Sequence, residues 1–299
     1  MTGWIGDAAS VGAPAKINLC LRVVGRRADG YHLLDGIVVP IDLFDYVMVQ
    51  VTPSTASQVS LRCEPPHAAP SGADNLAARA AECFLRHSGA AARVAITLIK
   101  QIPAGAGLGG GSSDAAAVLR VLNALRRNAV ASSDLMAWAL ELGADVPFFL
   151  FGCPARVSGI GEVLEPWADM IVEPLVVAFP GTGLSTPAVY AKYDDLLTMS
   201  DPPSTIRGLT SGPEPPHSYW RNDLEAAACL VQPELGVLKG RLRSLGAESV
   251  MMTGSGSAVF GQWRRWDDAR AAAEQLRATG VWARVARMLE RIPAVELVS

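Results

Sequence analysis

Residues 102 to 114 read Ile-Pro-Ala-Gly-Ala-Gly-Leu-Gly-Gly-Gly-Ser-Ser-Asp, with five glycines in the seven positions from Gly105 to Gly111. Glycine has no Cβ, so such a loop turns through conformations closed to other residues and aims its N–H groups inward at an anion. Upstream, Val94, Ile96 and Leu98 share one face of the segment Arg93 to Lys100, the period of a strand. Downstream, Ala115, Val118, Leu119 and Leu122 recur at i, i+3, i+4 and i+7, the period of a helix. Ser112, Ser113 or Asp114 is expected to cap that helix, and Arg126 and Arg127 suit its C-terminal end. Strand, glycine loop and helix N-terminus together form a phosphate cradle.

Two familiar cradles are excluded. Gly105, Gly107 and Gly110 satisfy the G-x-G-x-x-G pattern of dinucleotide-binding folds. That pattern needs a strand running straight into the first glycine and an acid about 20 residues later at the end of the next strand. Pro103 breaks the approach, and Asp134 opens another helix instead. No lysine follows the glycines, so the loop is not a Walker A motif.

The chain has 299 residues, enough for two modest domains, and half of it is hydrophobic. A net charge of −3 argues against nucleic acid as a partner. Five cysteines (Cys20, Cys63, Cys83, Cys153 and Cys229) are widely spaced without a C-x-x-C pair, which fits a reducing cytoplasm better than a disulfide or zinc framework. No basic-then-apolar leader is expected at the N-terminus, and the longest apolar stretch, Val146 to Cys153, is too short to span a bilayer. The sequence therefore implies no membrane partner, and it leaves the oligomeric state open.

Ile17, Leu19, Leu21 and Val23 alternate along a strand that puts Lys16 and Asn18 on one face. A polar turn at Arg26 to Gly30 leads to Tyr31 and His32, then to strands over about Leu33–Ile41 and Tyr46–Val51. Helices are expected over Asn75–Arg86, Asp134–Leu142, Asn222–Leu230 and Trp266–Ala278. Asp145 precedes the apolar run Val-Pro-Phe-Phe-Leu-Phe and is expected to be shielded from free solvent. Leu175 to Phe179 reads as a buried strand, and residues 201 to 218 as a mobile surface loop. Thr253-Gly-Ser-Gly-Ser257 is a glycine turn between two strands. Composition shifts between residues 159 and 170, which predicts two domains, 1–160 and 161–299.

Three separated segments resemble the three motifs of the GHMP small-molecule kinases: Ala15-Lys-Ile-Asn-Leu19, Pro103 through Ser113, and Thr253 through Phe260. Arg26-Arg-Ala-Asp-Gly-Tyr-His32, Leu142-Gly-Ala-Asp-Val-Pro-Phe148, Thr186-Pro-Ala-Val-Tyr190 and Arg221-Asn-Asp-Leu224 bring the likeness closest to the branch of that superfamily acting on a cytidine-diphosphate methylerythritol in non-mevalonate isoprenoid synthesis. After His32 the chain departs from that branch, reading Leu-Leu-Asp-Gly-Ile-Val-Val where a Thr or Ser and an apolar-Phe-Gln stretch are usual.

The resemblance implies an α+β, two-domain fold with the active site in the cleft between domains. It implies ATP and Mg2+ as cofactors, and transfer of phosphate to the 2-hydroxyl of the cytidylyl substrate. The motifs themselves name no metal ligand. ATP would lie on Pro103, Ala104, Gly105, Ala106, Gly107, Leu108, Gly109, Gly110, Gly111, Ser112 and Ser113, with Lys100 and Asn75 toward its adenosine end. Asp145 would take the acceptor's proton, with Lys16 beside it holding the carboxylate ionised. Asn18 would bond substrate, and Tyr31 and Tyr190 would lie on either side of the cytosine ring. His32 would read the edge of the base, with Thr186 and Pro187 shaping the pocket. Relatives acting on mevalonate, homoserine or sugars have no base to stack on Tyr31 and His32. A catalytically silent, nucleotide-binding member would have no need of both Lys16 and Asp145.

Overall fold

A computed structural model of the chain describes residues 4, 7–70, 72–169, 172–199 and 220–298. Two long strands, β1 (Ala8–Arg26) and β2 (His32–Pro53), are followed by β3 (Gln58–Glu64), helix α1 (Leu76–Ser88) and β4 (Ala92–Ile99). Helices α2 (Gly110–Leu125), α3 (Ser132–Leu142) and α4 (Val146–Phe151) lead to the hairpin β5 (Ala155–Gly159) and β6 (Val163–Pro166). Then come β7 (Leu175–Phe179), α5 (Thr186–Met199), β8 (Arg221–Asn222), α6 (Glu225–Val231) and α7 (Glu234–Ser244). The chain ends with β9 (Ser249–Met252), β10 (Val259–Gln262), α8 (Trp266–Ala278), β11 (Trp282–Ala286) and β12 (Glu296–Val298). The loop expected at residues 201 to 218 lies outside the described residues.

The strands form two sheets. The first runs β12-β1-β2-β4-β3, with β5 and β6 extending from β2 and β8 lying parallel to β1; the second runs β11-β7-β10-β9. Residues 160 and 161, where the domain break was expected, form the turn of the β5–β6 hairpin. The β1–β2 pair shows why two sheets are needed. Toward its far end β2 alternates buried and exposed, as a strand with one wet face does. From Ala13 to Val23, however, β1 is buried on both faces. One face packs under α1, α2 and α4, through Val11, Ala13, Leu119 and Phe149. The other, through Ile17, Leu19, Val39 and Ile41, meets Leu175, Val177 and Phe179 of the second sheet. Val176 and Ala178, on the opposite side of β7, pack on α6, α7 and α8. The result is an α+β architecture of helices, sheet, sheet and helices.

The unusual segment after His32 has a structural role. Asp35 lies between Arg156 (3.0 Å) and Arg22 (3.8 Å). Gly36 faces Leu21 beside a register shift, where a Cβ would come within 2.4 Å of the Cys20 carbonyl oxygen. Only glycine fits so close an approach of two backbones.

Candidate active site

The glycine loop bridges β4 and α2. Gly105, Gly107 and Gly109 take φ of 69°, 76° and 71°, the left-handed region that glycine enters without strain. The helix starts earlier than the serines suggested. Gly109 is its N-cap and no side chain caps it, so neither Ser112, Ser113 nor Asp114 plays the expected part. Instead Ser112 faces the cleft, while Ser113 and Asp114 are buried beneath the loop. Ala106 and Leu108 anchor the loop in the core between the sheets, leaving Ala104, Gly105 and Gly111 exposed and Pro103, Gly107 and Gly110 half-buried.

The turn at residues 253 to 257 seals the loop from the other side. Ala258 N–H donates to the Ala106 carbonyl at 2.9 Å. A Cβ on Gly107 would lie 2.7 Å from the Thr253 carbonyl oxygen and 2.8 Å from that of Gly256. Asn222 braces this turn, its Nδ2 donating to the Met252 (2.9 Å) and Gly254 (2.8 Å) carbonyls. Thr186 and Ser255 hydroxyls meet at 2.7 Å, linking the turn to the start of α5.

Lys16 runs from β1 beneath the loop. Its N–H donates to the Leu108 carbonyl at 2.9 Å, and a Cβ on Gly109 would touch its Cγ at 3.0 Å and Phe149 at 2.9 Å. Its Nζ donates to Asn18 Oδ1 at 2.6 Å and lies 3.9 Å from Asp145 Oδ2. Asn18 is held in turn by Thr253, whose Oγ1 accepts from the Asn18 N–H at 3.0 Å. Asp145 corrects the sequence expectation: its side chain is 55% exposed. The apolar run that follows it buries Val146, Phe148 and Phe149 as α4, and that anchoring leaves the preceding carboxylate at the helix start, facing the cleft.

The cleft has a volume of about 780 Å³ and brings most of the expected residues together. Lys16, Asn18, Asp145, Ser112, Gly107 and Gly109 line one end; Tyr31, His32, Thr186, Pro187 and Tyr190 line the other. Tyr31 is largely exposed, and the faces of Tyr190 are not both free for a base. Tyr190 stacks on His32, with ring centroids 4.6 Å apart at 23°. Burial, aided by the charge of Asp145, pushes the Tyr190 phenol up to about 12, so it stays neutral.

Lys100 and Asn75 do not line this cleft. Lys100 is buried between Asp45 and Asp114, 2.6 Å from the latter, and its charge is held by both. Asp45 also accepts from the Ile102 N–H at 2.9 Å. One carboxylate from β2 thus ties down the start of the glycine loop, while Lys100 reaches across to the helix after it. Burial pushes the Asp114 carboxyl up to about 7, against the pull of Lys100. Asn75 caps α1, accepting from the Ala77 N–H at 2.9 Å. Sequence reasoning missed Asp194, a mid-helix acid on α5 bound to His32 and Arg26; no motif surrounds it.

A protein from Thermus thermophilus called 4-diphosphocytidyl-2-C-methyl-D-erythritol kinase is 47% identical over 274 residues, covering 91% of this chain and 94% of its own. The chain belongs to the 4-diphosphocytidyl-2-C-methyl-D-erythritol kinase family. The models of the GHMP kinases N-terminal and C-terminal domains match residues 75–153 and 217–281. A crystal structure of 4-(cytidine 5'-diphospho)-2C-methyl-D-erythritol kinase superposes with a TM-score of 0.73 at 42% identity, over 93% of this chain and 99% of that one. Homoserine kinase from Cytophaga hutchinsonii shares the fold, at TM-score 0.72 and 17% identity over 98% of both chains. Among the described residues no helix is long and apolar enough to cross a membrane.

Proposed function

We propose that this chain transfers the γ-phosphoryl group of ATP to the 2-hydroxyl of 4-diphosphocytidyl-2-C-methyl-D-erythritol. The observation that carries this reading is the group Lys16, Asn18 and Asp145, set against a glycine loop at one end of a cleft whose other end is aromatic. Catalysis of phosphoryl transfer is mostly positioning and charge stabilisation. The backbone N–H groups from Gly105 to Ser113 and the N-terminus of α2 cradle the nucleotide's phosphates. Asp145, exposed to the cleft, accepts the proton of the attacking hydroxyl. Lys16 lies within reach of Asp145 and offsets the charge that gathers there, and Asn18 fixes the ammonium and orients the acceptor.

The Ser112 hydroxyl is a hard oxygen donor of the kind magnesium takes, and it would help hold a magnesium ion brought in with the nucleotide. Magnesium held there would offset charge on the transferred group. Lys100 and Asn75 serve the ATP side by anchoring backbone, since their side chains are taken up within the protein. Tyr31, His32 and Tyr190 receive the cytosine, with Thr186 and Pro187 walling the pocket. We place the domain boundary between residues 167 and 174, because β6 pairs in the first sheet and β7 in the second. The free thiols support a reducing compartment, and the cytoplasm is the proposed location.

The test is to incubate the purified chain with ATP and Mg2+ and each of three acceptors: the cytidylyl substrate, mevalonate and homoserine. Phosphorylation confined to the first, at its 2-hydroxyl by 31P NMR, is the expected result. Transfer to mevalonate or homoserine instead would overturn the assignment.

A further inference from the structure

Asp194 lies on α5, the helix that carries Tyr190 one turn earlier. Its carboxylate is shared by two residues that face each other at the tip of the β1–β2 hairpin, where Arg26 and His32 are cross-strand partners. Oδ1 is 2.8 Å from His32 Nε2, and Oδ2 is 3.1 Å from Arg26 Nη1. Arg26 also closes the turn, its Nε donating to the Gly30 carbonyl at 3.2 Å. The His32 ring is further fixed by Tyr190 on its face and by Tyr193 edge-on at 6.3 Å and 79°.

This arrangement decides which ring nitrogen carries the proton. An ionised carboxylate only accepts hydrogen bonds, so in a neutral imidazole facing one the hydrogen sits on that nitrogen, here Nε2. Nδ1 is then left with a lone pair, and no described residue donates to it. His32 lines the cleft, so this acceptor belongs to the substrate pocket.

We propose that Asp194 is a positioning residue for base recognition: it holds His32 in the Nε2–H tautomer, so that Nδ1 accepts from the exocyclic amine of cytosine and disfavours uracil. The two bases share one outline. Uracil carries a carbonyl oxygen where cytosine carries the amine, and that oxygen would meet the Nδ1 lone pair as acceptor against acceptor. Without the carboxylate the ring is free to hold its proton on Nδ1, a state that welcomes the uracil oxygen. This inference rests on the cytidylyl reading of the cleft.

The experiment measures CDP and UDP affinities by calorimetry in the wild type, Asp194→Ala, Asp194→Glu and Arg26→Ala, and records the ring 15N shifts of His32. The wild type should prefer CDP and show the Nε2–H pattern. Asp194→Ala should shrink the CDP/UDP ratio about tenfold, roughly the effect of one unpaired hydrogen bond on a buried edge. It should also raise KM for the cytidylyl substrate and leave KM for ATP unchanged. Asp194→Glu, which keeps the carboxylate, should recover much of the ratio. Arg26→Ala cuts only the other arm of the contact and should keep it. Equal wild-type affinity for CDP and UDP would defeat the cytidylyl reading itself. A wild type that prefers CDP would instead overturn the role of Asp194 if His32 carried its proton on Nδ1, if Asp194→Ala kept the full preference, or if Arg26→Ala lost it equally. The 15N measurement on the wild type stands even if Asp194→Ala does not fold.

Discussion

Lys16 Nζ and Asp145 Oδ2 lie 3.9 Å apart where β1, the glycine loop and the start of α4 meet. The lysine is buried and the acid is half in solvent. That asymmetry suits the division of labour proposed for them. A buried ammonium, bonded at 2.6 Å to Asn18, keeps a fixed position, while the exposed carboxylate can reach an incoming hydroxyl.

Asp145→Asn should therefore cut kcat by roughly 10²–10⁴-fold, the loss expected when a general base is removed. The amide keeps the shape of the site, so KM for ATP should change little. Steady-state kinetics with both substrates varied is the measurement. Turnover at the wild-type rate would move the base to another group.

Gly107 tests the contact between the loop and the 253–257 turn. Its φ is +76°, and a Cβ there would press on two backbone carbonyls at 2.7 and 2.8 Å. Backbone cannot swing aside as a flexible side chain does. Gly107→Ala should cost roughly 1–3 kcal/mol from the left-handed conformation alone, with overpacking added, and it should raise KM for ATP. Gly111→Ala is the control. Gly111 lies inside α2, where a Cβ meets only Leu76 Cδ1 at 3.7 Å, and alanine there should hold or raise Tm. Equal Tm losses in both variants would show that the tight contact at Gly107 is not what matters.

These contrasts mark what was legible in the sequence. Period and punctuation located β4, β7 and α8 closely, because each is long enough or apolar enough to carry its own signal. The start of α2 was misread because Gly109 caps it through backbone conformation, which leaves no side-chain signature. Helix α4 was hidden in an apolar run of six residues, too short to show a helical period. The cleft's motif residues were readable, as they lie within contiguous stretches. Their supports were not: Asp45 answers Lys100 from β2, and Asp194 answers His32 from α5, far along the chain, so sequence spacing says nothing of either pair.

At the aromatic end, Tyr190→Ala should weaken binding of the cytidylyl substrate by roughly 1–3 kcal/mol, the worth of one base–aromatic stack. Because Tyr190 now stacks on His32, the substitution also frees that ring. KM for the acceptor should rise while KM for ATP holds. A rise confined to ATP would mean that the two pockets are reversed, and a change in neither would remove the aromatic end from substrate binding.

Asp114 gives a prediction in pH. It is buried with Lys100 and Asp45 beneath the glycine loop, and burial raises its carboxyl from 3.8 to about 7 in the folded chain. Between those values the folded state keeps a proton that the unfolded state has released. Stability from this group therefore falls as pH rises from about 4 to about 7 and is level above that. Asp114→Asn keeps an oxygen to accept from Lys100 but cannot ionise. Relative to the wild type, the variant should gain Tm steadily across that window, with the two curves parallel at higher pH. Thermal melts from pH 4.5 to 8.5 would show it, since carboxylates outside this cluster contribute equally to both proteins and cancel in the difference. A constant gap between the curves would mean that Asp114 is ionised throughout, and that Lys100 outweighs the cost of burying it.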